Sequence, residues 1–143
     1  MLQQTQVSTV IPYFKRFVQK IPNFKKLSKA NDQTLMKLWE GLGYYSRARN
    51  LKKSAIMING KFGGILPSNF EDLKSLPGVG DYTSTAIMAI AFNQKFIPLD
   101  GNVERILKRV LSLEVKKLYQ KKICKFQKNF LVYQKEQVIM LKL

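Results

Sequence analysis

The sequence predicts an all-α fold, and three observations carry the prediction. Apolar residues recur at intervals of three and four along most of the chain, the pattern of helices that bury one face. Asn, Asp or Ser stands ahead of several of these runs, where a short polar side chain can cap free backbone N–H groups. No segment alternates apolar and polar residues as a half-buried strand would, and no internal repeat is present.

Val7, Val10, Ile11, Phe14, Phe17, Val18 and Ile21 define a first amphipathic helix from about Leu2 to Lys20, with Pro22-Asn23 as its break. Pro12 either kinks this helix or sits near its first turn. Asn31 or Asp32 caps the next, which carries Leu35, Leu38 and Trp39 and ends at Gly41-Leu42-Gly43. Tyr44 to Asn50 then opens a helix through Leu51, Ala55, Ile56 and Ile58 to Asn59-Gly60, followed by a loop with Gly63-Gly64 and Pro67. Ser68-Asn69-Phe70-Glu71 has the spacing of a capping box and starts a short helix through Leu73. Leu76-Pro77-Gly78-Val79-Gly80 makes a tight turn, after which an alanine-rich helix runs from Asp81 to about Phe92. Asp100-Gly101-Asn102 opens a last helix, with Val103, Ile106, Leu107, Val110 and Leu111 inward.

Charge narrows the partner. Twenty-five Lys and Arg against nine Asp and Glu, with no His, give a net charge of +16 in 143 residues. Such an excess favours a polyanion, either nucleic acid or an anionic surface. No apolar run approaches the roughly 20 residues of a spanning helix, and the polar start Met1-Leu2-Gln3-Gln4-Thr5-Gln6 has no signal-peptide core. A cytoplasmic, nucleoid-associated monomer is expected. Up to Glu114 there are 17 basic and 8 acidic residues; from Val115 on there are 8 and 1, so composition shifts near residue 115. Cys124 is the only cysteine, which rules out an intrachain disulfide and any metal site built from this chain's own thiolates.

Several residues could carry chemistry, and each has a plainer reading beside it. In the turn, Pro77 closes one helix, Gly78 and Gly80 permit positive φ, and the next helix offers its N-terminal N–H groups to a phosphate. The plainer reading is an ordinary helical corner. Tyr44 and Tyr45 with Arg47 and Arg49 make either a stacking wedge with phosphate contacts or core tyrosines beside solvated arginines. Gln3 and Gln4 either probe base edges or form a polar helix face. Asp100 is either a helix N-cap or an anion beside a reaction centre that develops positive charge.

Four stretches occur together and in order: Met1-Leu2-Gln3-Gln4-Thr5-Gln6-Val7, Gly41 to Asn50, Leu76 to Gly80, and Leu99-Asp100-Gly101-Asn102-Val103. Together they resemble the adenine DNA glycosylases of the MutY type, in the helix-hairpin-helix superfamily, over roughly Met1 to Leu113. The resemblance implies a helical barrel over residues 1–99, an incomplete second helical domain beginning at 100–114, and a divergent Lys-rich tail at 115–143. It implies base excision repair: adenine mispaired with 8-oxoguanine or guanine in duplex DNA is flipped out and its N-glycosidic bond hydrolysed.

By position, the resemblance makes Gln4 a wedge at the lesion, with Gln3 beside it, and Tyr44 the tyrosine inserted next to 8-oxoguanine. Arg47, Arg49, Leu76, Gly78, Val79 and Gly80 become DNA contacts. Tyr82 lines the reaction centre, Asp100 stabilises the oxocarbenium-like sugar, and Asn102 helps position it. Endonuclease III-like relatives carry a Schiff-base lysine at the position of Tyr82, so monofunctional hydrolysis is implied. The family's catalytic glutamate would precede Met1, and its four-cysteine iron–sulfur loop finds only Cys124 here. The expectation is a fragment without a cofactor, weakly active or inactive; the alternatives are a non-catalytic DNA-binding module, an endonuclease III-like enzyme, or a broken gene product that does not fold alone.

Overall fold

The computed structural model describes residues 1–111, which form seven helices and no strand. The expectations for Cys124 and for the tail at 115–143 lie outside the described residues. The chain divides into two compact units, one from Met1 to Val79 and one beginning at Gly80. The division falls inside the glycine turn, ahead of the Leu99/Asp100 boundary suggested by the sequence.

The first unit holds α1 (Val7–Lys20), α2 (Phe24–Lys29), α3 (Asp32–Trp39), α4 (Ser46–Lys61) and α5 (Phe70–Lys74). Val10, Phe17, Ile21, Leu27, Leu35, Trp39, Leu42, Ala48 and Ala55 pack as its core. Phe17 meets Trp39 edge to face at 6.2 Å, a geometry that matches positive ring edge to negative ring face. Only part of the α1 stripe faces this core: Val7, Ile11, Phe14 and Val18 are exposed. Pro12 lies well inside α1, so the helix runs through the proline and leaves the Ser8 carbonyl without its usual N–H.

Two start signals differ in detail from the sequence reading. α2 is an additional helix of six residues, too short to show a period, nucleated by Asn23, whose side chain accepts the Lys26 N–H at 2.8 Å. It packs on α4, where Asn59 Nδ2 donates to the Phe24 carbonyl and the Ala55 carbonyl, each at 2.9 Å. α5 is capped by Asn69, one residue after Ser68. The Asn69 Oδ1 accepts the Asp72 N–H at 2.9 Å, and its Nδ2 donates to Asp72 Oδ2 at 2.6 Å. Asparagine serves both directions because its amide carries donor and acceptor together. For α3, Asn31 is the cap, accepting from Gln33 N–H at 2.8 Å.

The second unit holds α6 (Asp81–Ile90) and α7 (Gly101–Leu111). α6 buries Ser84, Thr85 and Met88, while Ile90 is exposed. Its two buried hydroxyls are satisfied along the helix: Ser84 Oγ donates to the Gly80 carbonyl, and Thr85 Oγ1 is within 2.9 Å of the Asp81 and Tyr82 carbonyls. On α7, Val103 is half-buried but Ile106 is exposed, contrary to its expected inward place; the side chains of Leu107, Val110 and Leu111 lie outside the description.

Candidate functional site

The start of the chain is not helical, although the apolar period suggested a helix from about Leu2. Leu2 to Thr5 form a tight turn closed by Thr5 N–H to the Leu2 carbonyl at 3.3 Å. Gln4 takes φ +59 within it. The reason is competition for acceptors. The Gln3 carbonyl, which a helix would pair with Val7, accepts instead from Arg47, and the Met1 carbonyl accepts from the same guanidinium at 2.8 Å. α1 therefore begins only at Val7, with Gln6 making no side-chain cap. Gln3 and Gln4 are exposed in this turn.

Gly41 to Tyr44 form the facing loop. Gly41, Gly43 and Tyr44 all have positive φ. Gly41 has φ +94, and a Cβ there would also meet the Tyr13 hydroxyl, so a side chain at this position is strained. Leu42 between them is buried, and Trp39 Nε1 donates to the Gly43 carbonyl at 3.1 Å. Tyr44 is not glycine, and a left-handed backbone costs it on the order of 1–3 kcal/mol, a cost found where surrounding structure dictates the conformation.

Exposure inverts the plainer reading of the aromatic-basic stretch. Tyr44 and Tyr45 are on the surface, 61% and 41% exposed, whereas Arg47 is half-buried. Its guanidinium lies over the rings of Trp39 and Tyr44, at 5.7 and 5.2 Å from their centroids. Arg47 is thus not the free phosphate contact expected from the sequence. Arg49, on the first turn of α4, is exposed and keeps that possibility.

At the glycine turn, Leu76 is buried, which leaves its main chain, not its side chain, for an external contact. Val79 N–H donates to the Leu76 carbonyl at 3.0 Å. Gly78 has φ +78, and a Cβ there would come within 2.9 Å of Asn50. Ser54 Oγ donates to the Pro77 carbonyl at 2.9 Å. Asn50 and Ser54, four apart on α4, therefore buttress the turn, a role not read from the sequence although Asn50 ends the aromatic-basic motif. Gly80 corrects an expectation: its φ is −94, an ordinary extended value, since it serves as N-cap of α6. Nothing lies within 4 Å of where its Cβ would be, so its contribution is open space.

In the second unit Tyr82 stands on the first turn of α6, 47% exposed. Asp100 is the N-cap of α7: its Oδ1 accepts the Asn102 N–H at 2.9 Å and the Val103 N–H at 2.8 Å. Asn102 is exposed and its Oδ1 accepts from Arg105. Local backbone thus fixes the orientation of the Asp100 carboxylate.

A base-excision family model, described as the HhH-GPD superfamily base excision DNA repair protein, matches residues 1–130. The chain belongs to the HhH-GPD superfamily. The match runs further along the chain than the motifs quoted above. Among its relatives, the adenine DNA glycosylase of Buchnera aphidicola is 44% identical over 123 residues, covering 86% of this chain and 35% of that protein. The mouse adenine DNA glycosylase is 48% identical over 114 residues, covering 79% of this chain and 22% of that protein. This HhH-GPD chain thus spans about a third or less of the length of these relatives. Among solved structures, a thermostable thymine-DNA glycosylase aligns with TM-score 0.70 and 30% identity over 75% of this chain and 50% of that one. A trapped endonuclease III–DNA covalent intermediate aligns with TM-score 0.73 and 26% identity, over 89% and 58%.

These 143 residues contain one cysteine, fewer than the four thiolates that hold an iron–sulfur cluster. Among the described residues no group of three or more His, Cys, Asp or Glu could hold a metal. No helix among them is long and apolar enough to cross a membrane.

Proposed function

We propose that this chain is the DNA-gripping and sugar-stabilising part of a monomeric adenine DNA glycosylase acting on duplex DNA with adenine opposite 8-oxoguanine or guanine. The observation that carries the reading is Asp100, a carboxylate fixed by two backbone N–H groups at the head of α7. Preset in this way, it stabilises positive charge on the sugar without reorganising as the charge appears. In the reaction the C1′–N9 bond breaks, water supplies hydroxide to C1′, and the departing adenine takes up a proton. The resemblance assigns the anion to Asp100 and the donor of that proton to a glutamate outside the motifs quoted from this sequence.

Tyr82 supports hydrolysis over lyase chemistry, because a phenol cannot form the imine through which a lysine cleaves the strand. The net charge of +16, the open space at Gly80 and the exposed Tyr44 support a duplex as partner. The N-cap geometry of Asp100 also favours a second reading, a DNA-binding module in which this carboxylate only starts a helix.

Single-turnover excision of adenine opposite 8-oxoguanine separates the two. An upstream-extended form should release adenine, leave an abasic site and nick the strand only after alkali. Asp100→Asn keeps the cap, since Asn caps as well as Asp, yet should slow excision by about 10²–10³-fold with DNA binding retained. Unchanged excision would leave Asp100 as a cap alone, and nicking without alkali would overturn the monofunctional reading.

A further inference from the structure

Arg47 lies within a basic stretch, yet its guanidinium is turned onto the protein's own backbone. One terminal nitrogen donates to the Met1 carbonyl at 2.8 Å, to the Gln3 carbonyl and to Thr5 Oγ1 at 3.2 Å. The other reaches Thr5 Oγ1 at 3.2 Å and the Leu42 and Gly43 carbonyls at 3.3 Å. One planar group thus joins the start of the chain, where Thr5 is 42 residues from Arg47 in sequence, to the Leu42–Gly43 loop. The guanidinium also lies against the rings of Trp39 and Tyr44, at the distances already given. Nε is buried and makes no hydrogen bond among the described residues, so the site tolerates an unmatched donor to keep the fork where it is.

The two stretches share a second property. Gln4 and Tyr44 both hold left-handed backbone angles, at φ +59 and +49, which side-chain-bearing residues disfavour. Each is also exposed. A conformation of this kind persists when its surroundings dictate it, and Arg47 is the group common to both surroundings.

We propose that Arg47 is a positioning residue that locks the Gln3–Gln4 turn and the Tyr44 loop into one rigid edge for reading the mispair. The proposal rests on the glycosylase reading, in which Gln4 and Tyr44 meet the lesion. Arginine is required because its planar fork reaches oxygens on both stretches while stacking on aromatic faces; a lysine ammonium is a compact charge that does neither. Mispair preference would then depend on a side chain that does not itself touch DNA.

The test compares the full chain with Arg47→Lys and Arg47→Gln. Amide hydrogen exchange without DNA should show Thr5 and Leu42, whose amides close the two turns, exchanging about tenfold or more faster, with Leu35 and Ala55 unchanged. Unaltered protection at Thr5 and Leu42 overturns the proposal. Loss of protection throughout the core in both variants also overturns it, making Arg47 a folding residue only. Binding is then measured on duplexes with adenine opposite 8-oxoguanine and on matched duplexes. Arg47→Lys should keep affinity for matched DNA and lose about tenfold in preference for the mispair. An equal loss on both duplexes would make Arg47 a phosphate contact and overturn the proposal. If the unaltered chain has no preference, the lesion reading fails, while the exchange experiment still decides whether Arg47 is the tether.

Discussion

The corner around Arg47 and the head of α7 both present exposed polar groups, and they are built in opposite ways. At the corner, backbone held in disfavoured angles at Gln4 and Tyr44 is tied by a side chain from a distant part of the sequence. At the head of α7, a relaxed helix start orients the side chain, because Asp100 accepts from the N–H groups two and three residues on. A local cap survives almost any change elsewhere, whereas a long-range tie depends on the core beneath it. The corner therefore concentrates the sensitivity of the first unit, and the cap can be altered chemically without disturbing the fold.

The largest effect follows from removing the floor of the corner. Trp39 is fully buried, packs on Phe17, lies beside the Arg47 guanidinium and donates to Gly43. Trp39→Ala should cost about 3–5 kcal/mol by chemical denaturation; a loss near 1 kcal/mol would mean that the corner stands without it.

The glycine turn provides an intermediate case, since its two glycines do different things. Gly78→Ala meets both a φ of +78 and the Asn50 side chain at 2.9 Å, so it should destabilise by about 1–3 kcal/mol. Gly80→Ala has extended backbone and empty surroundings, so stability should stay within about 0.5 kcal/mol while DNA affinity falls. Thermal melts and fluorescence anisotropy on the same duplex separate them. Equal stability losses would remove the distinction.

The smallest effect concerns another local cap. The hydrogen bond from Asn69 holds the Asp72 carboxyl below its usual range, against an opposing effect of desolvation and with lesser help from Lys61. Because the folded value is depressed, this contribution is present above the unfolded carboxylate range of about 4 and is lost as pH falls through the folded value. Asn69→Ala should lower the melting temperature by a few degrees at neutral pH. The gap from the unaltered chain should narrow below about pH 3–4; a gap constant across that window would leave only the backbone cap.

The residues themselves determined what depends on near neighbours. Helical period and cap residues foretold an all-α chain, the starts of α3 and α7, and Asp100 as an N-cap, because each involves partners within about one helical turn. The proline and glycines likewise marked the turn at 76–80. The tertiary structure decided what depends on distant partners. It exposed Val7, Ile11, Phe14 and Val18 while burying Val10, Phe17 and Ile21, since helical period defines a stripe but not how much of it finds a core. It buried Leu76, assigned the glycine turn to Asn50 and Ser54, put Tyr44 outside, and turned Arg47 inward onto Met1, Gln3 and Thr5. A guanidinium is equally suited to phosphate and to carbonyl oxygen, so its sequence position names the chemistry it can do, and only the fold determines which oxygens it meets.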